Sequence, residues 1–213
     1  MDIEKYLENI KQFQDYILKF IDNESDCNSD FQNIIQFLDQ HNILNQKNEI
    51  KLILNFLNEI SNNHHRTHNF FDKIEQILSL FTSPMNNIFT KTEIYKIFQN
   101  NRRILLFLLR EKIIEKTNYY SRENYNEDLA FYFNISGKVS EEGIERRNIG
   151  ENHNHICELI RNDSIEEFII YINQKNISID SSIRYSAYET NSFLLNKFPK
   201  LIEYAAFYGS IQI

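Results

Sequence analysis

The chain has 213 residues, a formal net charge of −7 and an isoelectric point near 5.4, and 42 % of its residues are hydrophobic. This length is enough for one large or two small domains with a buried core, and the negative charge disfavours binding to nucleic acid or to anionic membranes. Four glycines and two prolines argue against an all-β fold, because the turns of such folds use both residues. The two cysteines, Cys27 and Cys157, are too few for a disulfide framework or a cysteine-based zinc site, which suits a reducing cytoplasm.

Apolar residues at spacings of three and four predict four helices in the first 84 residues. We expect Asp30 to cap the second helix and Thr82-Ser83-Pro84 to end the fourth, because the residue before a proline avoids helical geometry. The region 1–84 is therefore predicted to be an N-terminal helical bundle. Its predicted helices cover 2–22, 31–41, 50–60 and 70–81.

The chain from residue 85 onward alternates short apolar helices with turns. Thr90 and Glu93 have the spacing of a capping box, which predicts a helix through Phe98. A turn at Asn101 precedes a nearly all-apolar helix over 104–114, whose apolar run is much shorter than the roughly 20 residues that span a bilayer. The pattern weakens over 115–150, where we expect a mixed helical connector.

Three segments of this second half share one pattern, a short apolar helix, a turn and a second apolar stretch, with turns at Asn101, Asp163 and Gly209. The last of these segments, 201–210, carries paired alanines before its turn glycine and resembles an ankyrin repeat. Together with 149–152, 159–168 and 189–193, it is similar to the N-terminal region of the ankyrin-repeat protein family of trichomonad protists.

This resemblance implies an all-α fold in which the helical bundle leads into a stack of ankyrin-like helical hairpins, an α-solenoid, over 85–213. It also implies that further ankyrin repeats cover the C-terminal edge, and it brings no catalytic residue. Phe207, Ile211 and Ile213 lie on the apolar side of the last hairpin, so we expect an exposed apolar edge there, because repeat arrays need a polar cap at each end.

Several clusters of histidine and glutamate could suggest a metal site or acid–base catalysis, but each has a structural interpretation. The histidines between 64 and 68 lie in an Asn-rich polar stretch without nearby acidic or thiol ligands. The His-Asn-His triplet at 153–155 marks the start of a helix at His155. The glutamate pairs at 141–142 and 166–167 fall in the first turns of helices, where acidic side chains are favourable. We therefore expect no enzyme activity, no cofactor and no metal site. The candidates are His64, His65 and His68; His153 to His155; Glu141 and Glu142; and Glu166 and Glu167.

The connection over 173–198 is longer than an ordinary loop between hairpins, and long loops in compact domains are commonly functional. We expect Ser186 to Glu189 to start a short helix within it. The candidates for contact with a partner protein are Ile179, Ile183, Tyr185, Tyr188 and Phe193.

The function that these patterns favour is a noncatalytic protein–protein interaction scaffold, in which this chain caps an ankyrin-repeat array and binds a protein partner in the cytoplasm. The alternative is a regulatory helical domain that modulates an associated enzyme. The two differ in whether binding changes the rate of a partner enzyme.

Overall fold

The computed structural model of the chain describes residues 3–23, 28–63, 69–115 and 141–213. Over these residues the fold is all-α, as predicted, and its only β-type pairing is one antiparallel bridge between Ser182 and Lys200. None of the helices in the described ranges is long and apolar enough to cross a membrane. The helices are α1 (Ile3–Asp22), α2 (Asn28–Gln40), a 3₁₀ helix (Ile43–Asn45), α3 (Lys47–Asn63), α4 (Phe70–Ser79), α5 (Thr82–Ile88), α6 (Lys91–Phe98), α7 (Arg102–Arg110), α8 (Glu141–Ile149), α9 (His155–Arg161), α10 (Ile165–Lys175), α11 (Ser192–Lys197) and α12 (Leu201–Tyr208).

The predicted cap at Asp30 is wrong, because α2 begins at Asn28 and Asp30 lies inside its first turn. Its buried carboxylate accepts a hydrogen bond from Asn23 Nδ2 at 3.0 Å and lies 3.4 Å from Lys19 Nζ. The hydrogen bond from Asn23 lowers the pKa of Asp30. Asp30 therefore connects the start of α2 to the end of α1.

The chain around Pro84 is helical, whereas the sequence predicted a stop there. Helix α4 ends earlier, at Ser79, and Pro84 is the third residue of α5, a helix that the apolar pattern did not predict. A proline in the first turn of a helix removes no intrahelical hydrogen bond, because those backbone donors have no partner within the helix. Pro84 thus belongs to the beginning of a short helix.

Helix α7 ends at Arg110, before the predicted end at residue 114. Lys112 adopts a left-handed backbone with φ of 57°, and the amide of Ile113 then donates to the carbonyl of Leu108 at 2.9 Å. This reversal of the chain places Ile113 and Ile114 in the core.

The buried apolar side chains form two clusters. The first extends from Phe13 to Ile114 and the second from Cys157 to Ala205. The domain division at residue 84 stays a prediction, and buried residues on either side of it, such as Phe81 and Met85, belong to the same first cluster.

Hydrogen bonds join the regions that carry the two clusters. Arg103 on α7 is buried, donates from Nε to the carbonyl of Asn148 on α8 at 2.9 Å, and forms an ion pair with Glu75 on α4. Asn191 donates from Nδ2 to the carbonyl of Asn62 at the end of α3. Buried polar contacts of this kind fix the second region against the first.

Candidate interaction surface

The hairpin of α9 and α10 turns at Asp163, as predicted. Asp163 has φ of 50°, and the amide of Ser164 donates back to the carbonyl of Leu159 at 3.0 Å. Asp tolerates this left-handed backbone better than most residues do. The predicted turns at Asn101 and Gly209 are also confirmed: Asn101 caps α7 and Gly209, with φ of 68°, ends α12.

Helices α9 and α12 are in contact, and hydrogen bonds join the residues that follow them. The carboxylate of Asp163 accepts a hydrogen bond from the amide of Gln212 at 3.0 Å, and Ser210 Oγ donates to the carbonyl of Ile160. Because the residues following α12 bind the residues that end α9, the two helices have a defined relative position.

The segment between α10 and α12 pairs with itself through backbone hydrogen bonds. The amide of Ile183 donates to the carbonyl of Pro199 at 2.9 Å, and the amide of Leu201 donates to the carbonyl of Ser181 at 3.0 Å. Lys200 Nζ lies 3.2 Å from Asp180 Oδ1. These contacts hold the segment in one conformation instead of leaving a long free loop.

A buried carboxylate organises the end of this segment. Glu189 is 1 % exposed and accepts hydrogen bonds from the backbone amides of Thr190 at 2.9 Å, Asn191 at 2.8 Å and Asn152 at 3.2 Å. A buried charge requires such partners, since burial without them is costly. No local sequence pattern indicates this role, because Asn152 is distant from Glu189 in sequence.

The expected short helix beginning at Ser186 is wrong. Ser186 to Glu189 form a turn, in which the amide of Glu189 donates to the carbonyl of Ser186 at 3.2 Å. The next helix is α11, whose cap is Asn191, with its side chain accepting from the amides of Phe193 at 2.9 Å and Leu194 at 3.2 Å. Glu189 is unavailable to a capping box because its carboxylate binds the amides described above.

Arg161 connects α9 to α12 on the inner side of this region. Its NH1 donates to the hydroxyl of Tyr204 at 2.8 Å and to the carbonyl of Asn152 at 2.7 Å, and its Nε lies 2.8 Å from the Glu151 carboxylate. Burial raises the pKa of Tyr204 well above its usual value, so the phenol remains protonated.

The five predicted contact residues have different environments. Ile179, Tyr185 and Phe193 are exposed, whereas Tyr188 is half-buried with its ring edge-to-face against His153 at 5.0 Å. Ile183 is buried in the second cluster, so its side chain faces other residues of this chain. Phe193 is also stacked on Phe207 with 6.4 Å between ring centroids.

The helices that carry the second cluster expose further apolar side chains. Helix α12 buries Leu201, Tyr204 and Ala205 but exposes Ile202 and Ala206, which lie one turn apart on its opposite face. Helix α10 buries only Phe168 and exposes adjacent isoleucines. The exposed large apolar residues from α10 to Ile211 are Ile169, Ile170, Ile179, Tyr185, Phe193, Phe198, Ile202 and Ile211.

The structure gives the surroundings of most of the histidine, glutamate and cysteine candidates. No group of three or more possible metal ligands occurs in the described ranges, and His64, His65 and His68 lie outside the described residues. Helix α9 begins at His155, as predicted, and Glu142 pairs with Arg146 one turn away. Burial raises the pKa of the Cys157 thiol to about 12, which keeps it in the unreactive thiol form.

A comparison of the chain with known protein families, with curated proteins and with solved structures finds no match.

Proposed function

We propose that this protein is a noncatalytic protein–protein interaction scaffold and that the exposed face of α12 is part of its contact surface. The observation that carries this proposal is the pair Ile202 and Ala206, an isoleucine about half exposed beside a small residue on one helix face. A small residue allows close approach of another helix, and the neighbouring isoleucine supplies apolar area.

The packing of α9 against α12 indicates what kind of partner fits this face. These helices are in contact and the residues that follow them are hydrogen-bonded, an arrangement compatible with the stacked hairpins of a repeat array. A further helical hairpin placed on the Ile202 side of α12 would repeat the same contact. The proposed partner is therefore an apolar helix pair, either of the ankyrin-like array that the sequence resembles or of another cytoplasmic protein.

The rigid segment beside α12 extends this proposed surface. Ile179 and Tyr185 are exposed on a segment whose backbone is fixed by the hydrogen bonds of Ile183 and Glu189. Fixing a contact residue before binding reduces the entropy lost on association. These side chains would contact the partner at the margin of the α12 face.

Affinity capture with the full chain tests the proposal. The Ile202→Glu variant places a charge in the proposed contact and should lose a partner that the wild-type chain retains in stoichiometric amount. Leu7→Glu is the matched control, because Leu7 on α1 is also about half exposed and apolar. Equal retention of the partner by Ile202→Glu and by the wild-type chain would contradict the proposal, and a captured enzyme whose rate changes on binding would favour the regulatory alternative.

A further inference from the structure

A cavity of about 220 Å³ opens at the surface of the first cluster, between α1, the end of α2 and α3. Its floor is apolar and is formed by the buried side chains of Phe13, Phe37, Ile43 and Ile53. An apolar cavity of about 150 Å³ is large enough to hold benzene. This cavity therefore has room for one aromatic ring with a short alkyl chain.

Three neighbouring aromatic rings line the cavity. Phe13 and Phe37 are stacked with 4.9 Å between centroids, and the ring of His41 lies 4.3 Å from that of Phe37. A ring inserted beside them would contact aromatic faces and edges, which adds about 0.5–1.5 kcal/mol to apolar burial in measured pairs. Ring-shaped ligands are thus favoured over linear ones of equal area.

The rim carries a positioned carboxylate. The hydroxyl of Tyr6 on α1 lies 2.9 Å and 3.1 Å from the two carboxylate oxygens of Glu49 on α3, and this contact raises the pKa of Tyr6. Tyr6 therefore remains a neutral donor that orients Glu49. A carboxylate can accept further hydrogen bonds besides the one that Tyr6 donates.

Glu49 is the one acidic residue among the described residues that line the cavity, and these residues include no lysine or arginine. A cationic group at the rim would bind this carboxylate by a charge-assisted hydrogen bond.

We propose that this cavity binds a small arylalkyl amine, a ligand with one aromatic ring and a protonated amine two or three atoms away. The ring lies on Phe13 and Phe37, and the ammonium group donates to Glu49. This site is independent of the α12 face, since all the residues that line it lie between α1 and α3.

Titration of the full chain with 2-phenylethylamine, followed by NMR, tests the site. We expect shifts of the Ile53 methyl and Phe13 ring signals and a dissociation constant of about 1 mM, as for other fragment-sized ligands. The isosteric neutral ligand 2-phenylethanol should bind about tenfold more weakly, because it lacks the charge that Glu49 attracts.

Two variants identify the groups responsible. Glu49→Gln should weaken binding of the amine about tenfold while leaving that of the alcohol unchanged. Glu59→Gln is the matched control, an exposed carboxylate on the same helix that does not line the cavity. Ile10→Trp, at a half-buried position of the lining, should fill the cavity and abolish binding of both ligands.

The proposal is overturned if no signal of the lining moves with the amine at 10 mM, about ten times the expected dissociation constant. It is also overturned if the alcohol binds as well as the amine, or if Glu49→Gln and Glu59→Gln have the same effect. Unchanged binding of the amine to a folded Ile10→Trp variant would show that the ligand lies elsewhere.

Discussion

The carboxylate of Glu189 accepts a hydrogen bond from the backbone amide of Asn152, 37 residues earlier in the chain, at 3.2 Å. Thr190 extends the same connection, since its hydroxyl donates to the carbonyl of Gly150 at 2.6 Å. Together these bonds hold the segment before α11 against the segment before α9. The position of α12, which carries the proposed contact face, depends on both segments.

Glu189→Ala should destabilise the protein by about 2–4 kcal/mol, because it removes the buried acceptor of the Asn152 and Asn191 amides. The Thr190 amide loses one of its two acceptors and keeps the carbonyl of Gly150 at 3.1 Å. Urea unfolding monitored by circular dichroism measures the change. Glu167→Ala is the control, since Glu167 is exposed on α10 and should change stability by less than about 0.5 kcal/mol. Equal stability of the two variants would show that Glu189 does not organise this region.

Asn101 contributes in two ways to the start of α7. Its Oδ1 accepts from the amide of Ile104 at 3.0 Å, and its Nδ2 donates to Ser61 Oγ at 2.6 Å. Asn101→Ala should cost about 1–3 kcal/mol, because it removes a helix cap and leaves Ser61 without this donor. The exposed Asn55→Ala variant should have almost no effect in the same unfolding measurement. A loss below about 0.5 kcal/mol at Asn101 would contradict this role.

The capping box of α6 should make the stability of the protein depend on pH. Hydrogen bonds from Lys47 and from the amide and hydroxyl of Thr90 lower the pKa of Glu93 to about 2. Because the folded pKa lies below the unfolded value, the stabilisation is complete above about pH 5 and is lost as pH falls toward 2. The stability difference between wild type and Glu93→Gln should therefore shrink over this range, and the Glu93 carboxylate should titrate near pH 2 by NMR. A midpoint near pH 4.3, the value of a free glutamate, would contradict the capping geometry.

Cys157 should be inert in the folded protein. With its pKa raised to about 12 by burial, only about one thiol in ten thousand is ionised at pH 8. In a Cys27→Ser background, Ellman's reagent should react with Cys157 only after unfolding in urea. Reaction of the native protein at the rate of a free thiol would show that α9 is not packed as described.

Most helices were predicted correctly from the sequence, because their apolar residues recur at the helical spacing of three and four. This signal depends only on residues that are close in sequence. It failed where tertiary contacts decide the outcome. Asp30 lies within α2 and binds Asn23 and Lys19. Pro84 lies in the first turn of α5, a short helix that has no apolar stripe of its own. In the candidate surface, the contact role of the segment over 173–198 stays a prediction. The acceptor role of Glu189 was not predicted, since no local pattern pairs it with Asn152. Likewise, the positions of the apolar residues in this segment do not show that Ile183 is buried and Ile179 is exposed.

The central claim is that the exposed face of α12 contacts a protein partner. Photo-crosslinking in cells tests it most directly, with a benzophenone amino acid placed at position 202 in one variant and at position 7 in the other. The account predicts a specific protein crosslink from position 202 that is absent from position 7 and that disappears when Ala206 is changed to Arg. The same crosslinks from both positions, or a crosslink from position 202 that survives Ala206→Arg, would contradict it.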